Sequence, residues 1–138
     1  MKTEDLVFDE NFENYFSIEQ QSDEICLTLS DSLAAVEEDL SEDYKYKIVD
    51  FINKSDKWYN EFKGYIAEWA KGEYNIETQQ ESYVLINVFV LFEQSESQIF
   101  GLEFGVDFDE EHNCGLKVRA IEDRFEIFEI GTGDVAFA

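Results

Sequence analysis

Tyr83-Val84-Leu85-Ile86-Asn87-Val88-Phe89-Val90-Leu91-Phe92 is the longest apolar run in the chain, and its reading decides the fold. Ten residues are about half of what a membrane-spanning helix needs, so the run belongs inside a protein. It is apolar on nearly both faces and rich in β-branched and aromatic residues, which predicts an interior β-strand covered above and below.

Downstream of this strand the period stays at two. Phe100, Leu102, Phe104, Val106 and Phe108 alternate with Ile99, Gly101, Glu103, Gly105 and Asp107, so one face is large and greasy and the other small or acidic. Leu116 to Ile121 and Phe125 to Ile130 predict two further strands around a turn at Glu122-Asp123. After Gly131-Thr132-Gly133-Asp134, the piece Val135-Ala136-Phe137 reads as a last short extended segment.

Upstream the period becomes helical. Tyr44, Ile48, Phe51 and Ile52 share one stripe, and Trp58, Phe62, Tyr65, Ile66 and Trp69 share the next. Ser41 followed by Glu42 and Asp43 suits a helix start, because a hydroxyl accepts a free backbone N–H and carboxylates favour the positive end of the dipole. Asn53-Lys54 breaks the pattern, Ser55-Asp56 restarts it, and Gly72 after Lys71 is the expected stop. Aromatics at this spacing are a face that packs on a sheet. Earlier still, Tyr15 to Ile18 and Ile25 to Leu29 flank Gln21-Ser22-Asp23 as a β-hairpin, while Leu33 to Val36 fits either a helical turn or a short strand. The expected fold is α+β over residues 1–138 as a single domain: an N-terminal hairpin, two consecutive helices, then four to five strands in a mainly antiparallel sheet.

The 138 residues include 33 acidic and 10 basic ones, a formal net charge of −23. Such a surface repels nucleic-acid phosphates and anionic lipid headgroups, which argues against a nucleic-acid or membrane partner. Hydrophobic residues make up 44% of the chain and aromatics 16%, too much apolar material for a disordered acidic tail. Met1-Lys2-Thr3-Glu4-Asp5 carries no signal-peptide pattern, so a cytosolic location is expected. Cys26 and Cys114 lie far apart with no ligand-type spacing and read as buried or half-buried thiols. The charge is uneven: residues 1–40 carry −11, residues 41–75 carry −1 and residues 76–138 carry −11.

Two constellations carry chemistry. Asp107, Asp109, Glu110, Glu111 and His112 crowd a hairpin turn, and converging carboxylates with a His could hold a hard cation or act as a general base. A polar turn accounts for the same residues, and neither an EF-hand loop nor a two-His motif is present. Asn113 fits a left-handed turn position, where glycine would be neutral or slightly stabilising and valine costly. The sequence contains no GxSxG elbow, P-loop or GxGxxG run, and its one His limits acid–base schemes; no cofactor is expected. The second constellation is the acidity itself. Glu103, Glu126 and Glu129 lie on predicted strands and could place a continuous negative field on one sheet face, suited to steering a basic protein into contact. A charge of −23 goes well beyond the magnitude of about 2 to 8 that solubility asks for.

The C-terminal third resembles a bacterial family of unknown function. Its pattern is an aromatic, Asp, any residue, Glu-His-Gly, an apolar residue and Gly, then a closing Gly-x-x-Asp-apolar-Ala-Phe. Phe108, Asp109, Glu111, His112, Gly115, Gly131, Asp134, Ala136 and Phe137 match it, and the first helix around Leu40 to Tyr44 is also similar. Phe108 stands where Trp is common and Asn113 where Gly is usual. The family has no established activity, but members are reported near toxin and immunity genes, so the resemblance implies a fold and a toxin–immunity setting, and with the charge it points to an immunity-type protein. The sequence reading is therefore a non-enzymatic cytosolic interaction domain for a basic partner, with Glu103, Glu126 and Glu129 as contact residues. The alternative is a metal-binding or metal-assisted site at Asp109, Glu111 and His112.

Overall fold

The computed structural model describes residues 1–30, 33, 39–94 and 96–137. The expected α+β order is present. Strands β1 (Glu13–Phe16) and β2 (Ile25–Leu29) precede helices α1 (Glu42–Asn53) and α2 (Ser55–Tyr74), and strands β3 (Val84–Val90), β4 (Gln98–Gly105), β5 (Cys114–Ile121) and β6 (Arg124–Thr132) follow. Together they make one six-stranded sheet in the order β1-β2-β3-β4-β5-β6. All neighbours are antiparallel except β2 and β3, which run parallel because the helix pair carries the chain back between them. Of the stretch Leu33 to Val36 only Leu33 is among the described residues, and it is buried. No helix among the described residues is long and apolar enough to cross a membrane.

The helix boundaries follow local chemistry. The Ser41 hydroxyl accepts the Tyr44 N–H at 3.1 Å, as its position predicts. Lys54 alone separates the two helices. Gly72 does not end α2: the helix continues to Tyr74 and stops at Asn75, whose φ of 54° is the left-handed conformation that terminates helices. A glycine with open space around it is tolerated within the last turn, and the residue that adopts positive φ sets the end.

Both helices lie on one face of the sheet. Alternate strand residues, among them Leu27, Leu85, Val88, Phe100, Leu102, Phe104, Leu116 and Val118, are fully buried there against Tyr44, Ile48, Phe51, Trp58, Phe62 and Ile66. Phe51 is the centre of this layer: its ring stacks on Trp58 at 4.8 Å and on Phe100 at 4.0 Å. Tyr44 lies equally deep because its hydroxyl donates to the Phe92 carbonyl at 2.7 Å, which satisfies a buried polar group.

The opposite face differs from the sequence expectation. β3 is interior, yet its second face is only partly covered: Ile86 is exposed, and Asn87 and Phe89 are half-buried. A bulge at Ile86 lets Leu85 and Val88 both point to the helices, which breaks the strict period of two. Part of this face is covered by the C-terminal segment, which is not extended: Gly133–Ala136 form a 3-10 helix. It lies on a floor of glycines. A Cβ on Gly101 would meet the Ala136 carbonyl oxygen at 1.6 Å, and one on Gly115 would meet the Thr132 carbonyl oxygen at 2.6 Å. Gly101 on β4 and Gly115 on β5 therefore mark where another segment of backbone comes to rest, while Gly105 lies under the Ile86 side chain. The Phe137 ring then reaches Phe89 at 5.5 Å.

Candidate interaction surface

The acidic turn between β4 and β5 is held by its own groups. Asp109 Oδ1 accepts the His112 backbone N–H at 3.2 Å and bonds His112 Nδ1 at 2.9 Å. The Asn113 N–H donates to the Asp109 carbonyl at 2.9 Å, and the Gly133 N–H donates to the His112 carbonyl at 2.9 Å, tying the turn to the C-terminal 3-10 helix. The Asp109 carboxylate holds the His112 pKa above its ordinary value. Glu111 is exposed and joins neither residue. Of the three candidate metal ligands the fold brings together only Asp109 and His112, and among the described residues no group of three or more ligand-type side chains could hold a metal ion. His112 orients the turn, with its backbone carbonyl taking the long-range bond and its ring turned to Asp109.

Asn113 has φ of 60°, the left-handed conformation expected of it. It also does something the sequence did not disclose: its Nδ2 donates to Glu103 Oε2 at 2.8 Å. Asn113→Gly keeps the backbone but loses that bond, so it should cost about 1 kcal/mol rather than nothing. Asn113→Val loses the bond and strains the backbone, and should cost about 2 kcal/mol or more. Urea denaturation of the three proteins checks the order; equal midpoints would remove both arguments.

The strand registers place Glu103, Glu126 and Glu129 on one face, the one away from the helices. Glu103 stands opposite Asn87 and Gly115, Glu129 opposite Lys117, and Glu126 opposite Arg119. A bulge at Phe128 keeps Glu126 and Glu129 on the same side although they are three residues apart. Glu103, however, is spent inside the protein: half-buried, it accepts from Asn87 Nδ2 and Asn113 Nδ2, each at 2.8 Å. Glu129 pairs with Lys117 at 3.4 Å, and the Arg119 guanidinium sits 4.8 Å over the Phe128 ring. Among the described residues the three glutamates therefore make no continuous negative sheet face. Residues 76–138 hold 14 acids, but only Glu103, Glu126 and Glu129 lie on strands, where Lys117, Arg119 and Arg124 balance them. The excess sits in the connections at the ends of the sheet. One end gathers the loops 17–24, 75–83 and 106–113, because β2 and β3 run parallel and β4 returns beside them. At the other end Lys54 reaches Asp123 at 2.7 Å and Lys57 reaches it at 3.7 Å, which offsets part of the charge there.

No family model, curated protein or solved structure matches this chain.

The two thiols are free and lie on opposite faces. Cys26 is half-buried, with its thiol 3.5 Å from Glu13 Oε2. Cys114 is buried against the helices, and burial pushes its pKa up to about 12. A thiol so far from ionising is a poor nucleophile at neutral pH.

Sequence reasoning missed one feature of this surface. Between α2 and β6, Tyr65, Trp69, Phe125, Ile127 and Ile130 line a groove of about 560 Å³ bordered by Glu68 and Glu126. The helical stripe that contains Tyr65 and Trp69 was legible, but a groove also needs the strand beside it to be the last in the sheet, and strand order is not written in periodicity.

Proposed function

We propose that the chain is a non-enzymatic, cytosolic interaction domain for a basic protein partner, of the immunity type that its sequence resemblance implies. The observation that carries this reading is the distribution of charge: the strands of the C-terminal half are balanced, while the loops at the sheet ends hold the excess of a domain at −23. Carboxylates on projecting loops act at long range without being desolvated, which is the arrangement that speeds encounter with an oppositely charged protein.

The test is kinetic. A partner crosslinked to the chain in its source cells is identified and purified, and its association is followed as ionic strength rises. The Debye length falls from about 30 Å at 0.01 M to about 8 Å at 0.15 M, so association should slow by about tenfold or more. Dissociation should change less, because short-range contacts hold the docked pair. Glu110→Gln combined with Glu111→Gln should slow association further at low salt. An association rate that ignores both salt and these substitutions overturns the reading.

A further inference from the structure

The two edges of the sheet are treated differently. Outside β1 the N-terminal segment closes the edge: the Asp9 N–H donates to the Glu13 carbonyl at 3.0 Å, and Asn14 Nδ2 donates to the carbonyls of Asp5 at 3.1 Å and Val7 at 2.8 Å. Outside β6, no backbone bond from residues 124–131 is made to any other segment among the described residues. Ile121 and Arg124 close the two-residue turn Glu122-Asp123. In such a hairpin the closing pair exchanges both hydrogen bonds and bonded pairs then alternate, so the N–H and C=O groups of Phe125 and Ile127 point away from β5. The side chains of the same two residues form one wall of the apolar groove, facing Tyr65 and Trp69 of α2. Glu68 and Glu126 border it, and neither has an ion pair among the described residues.

We propose that β6 is a docking edge and that an extended segment of the basic partner adds to it as a seventh strand. Alternate apolar side chains of that segment enter the groove beside Trp69, and its Lys or Arg residues, which project to the face away from the helices, meet Glu126. Charge decides the occupant: a second copy would bring another surface of −23 to the same edge, whereas a basic strand is attracted to it. The bulge at Phe128 confines regular pairing to the first half of β6, so the recognised segment is short. This inference rests on the basic-partner reading and specifies its contact.

The experiment titrates the full ¹⁵N-labelled chain with a peptide alternating Val and Lys. Three companions are used: a Val/Glu peptide, and Val/Lys peptides N-methylated on alternate residues in each of the two phases. The Val/Lys peptide should shift the amides of Phe125 and Ile127 and the indole N–H of Trp69. The N-methylated phase that places its methyl groups against β6 should bind about tenfold more weakly at unchanged charge, because it has lost the donors of the new ladder. Glu126→Gln should weaken the Val/Lys peptide while leaving the spectrum of the free chain otherwise intact. If both N-methylated peptides bind as well as their parent, or the shifts fall elsewhere, strand addition is overturned while the basic-partner reading stands. Equal binding of the Val/Glu peptide overturns both. Concentration-dependent shifts of the Phe125 and Ile127 amides in the chain alone would assign the edge to a second copy and overturn the proposed occupant.

Discussion

Trp58→Ala is expected to destabilise the domain by about 3–5 kcal/mol, a large part of the roughly 5–15 kcal/mol that holds a domain of this kind together. Trp58 has no exposed surface. Its ring stacks between Phe51 at 4.8 Å and Phe62 at 5.5 Å, and its Nε1 donates to the Phe51 carbonyl at 2.9 Å. That carbonyl belongs to the last turn of α1, so the one side chain fills the core and fastens the two helices across their single-residue corner. Trp58→Phe should cost less, about 1–2 kcal/mol, because most of the ring remains and the Phe51 carbonyl keeps the Lys54 N–H at 3.3 Å. Far-UV circular dichroism in urea measures both. A loss under about 1 kcal/mol for the alanine variant would mean that the core collapses into the space and that the helix pair does not depend on this contact.

Gly101→Ala should be nearly as damaging, at about 3 kcal/mol or more, for the opposite reason: the site has no room for a methyl group. A Cβ there would stand 1.6 Å from the Ala136 oxygen and 2.6 Å from its carbonyl carbon, and both are backbone atoms that cannot rotate aside. The strand is pinned on both sides by β3 and β5, so the C-terminal 3-10 helix is what must move. Gly64→Ala is the internal comparison. Gly64 lies within α2 with nothing within 4 Å of its would-be Cβ, so the same chemical change should stabilise by about 0.5–1 kcal/mol. Calorimetry on the two variants reads opposite signs; a neutral Gly101→Ala would show that the C-terminal segment is not seated on the glycine floor in solution.

How much of this was legible depends on the range of the interaction. Ser41 as a cap, a break at Asn53-Lys54, Asn113 as a left-handed turn and the β5–β6 hairpin all follow from groups a few residues apart, and the structure matches each of them except that Asn53 still belongs to α1. The errors come from contacts across long separations. Val135 to Phe137 look extended because their pattern does not show the Gly101 and Gly115 floor that bends them into a turn of helix. Glu103 looks like a solvent-facing charge because nothing local announces that Asn87 and Asn113 close over it. The acids of residues 76–138 looked like a property of the strands, but the strand boundaries leave only Glu103, Glu126 and Glu129 of the 14 on strands.

The single parallel pairing has a consequence for how the sheet assembles. β3 to β6 follow one another and pair with their chain neighbours across short connections, whereas pairing β2 with β3 requires closing the whole chain between Leu29 and Val84, both helices included. The entropic cost of that closure is incurred before the Cys26–Asn87 register contributes anything. Were β3 to β6 to pair first, β3, an uncharged strand from Val84 to Val90, would stand at a bare sheet margin, the kind of exposed segment from which aggregation starts. A formal charge of −23 would make two such chains repel one another, which opposes association through that margin.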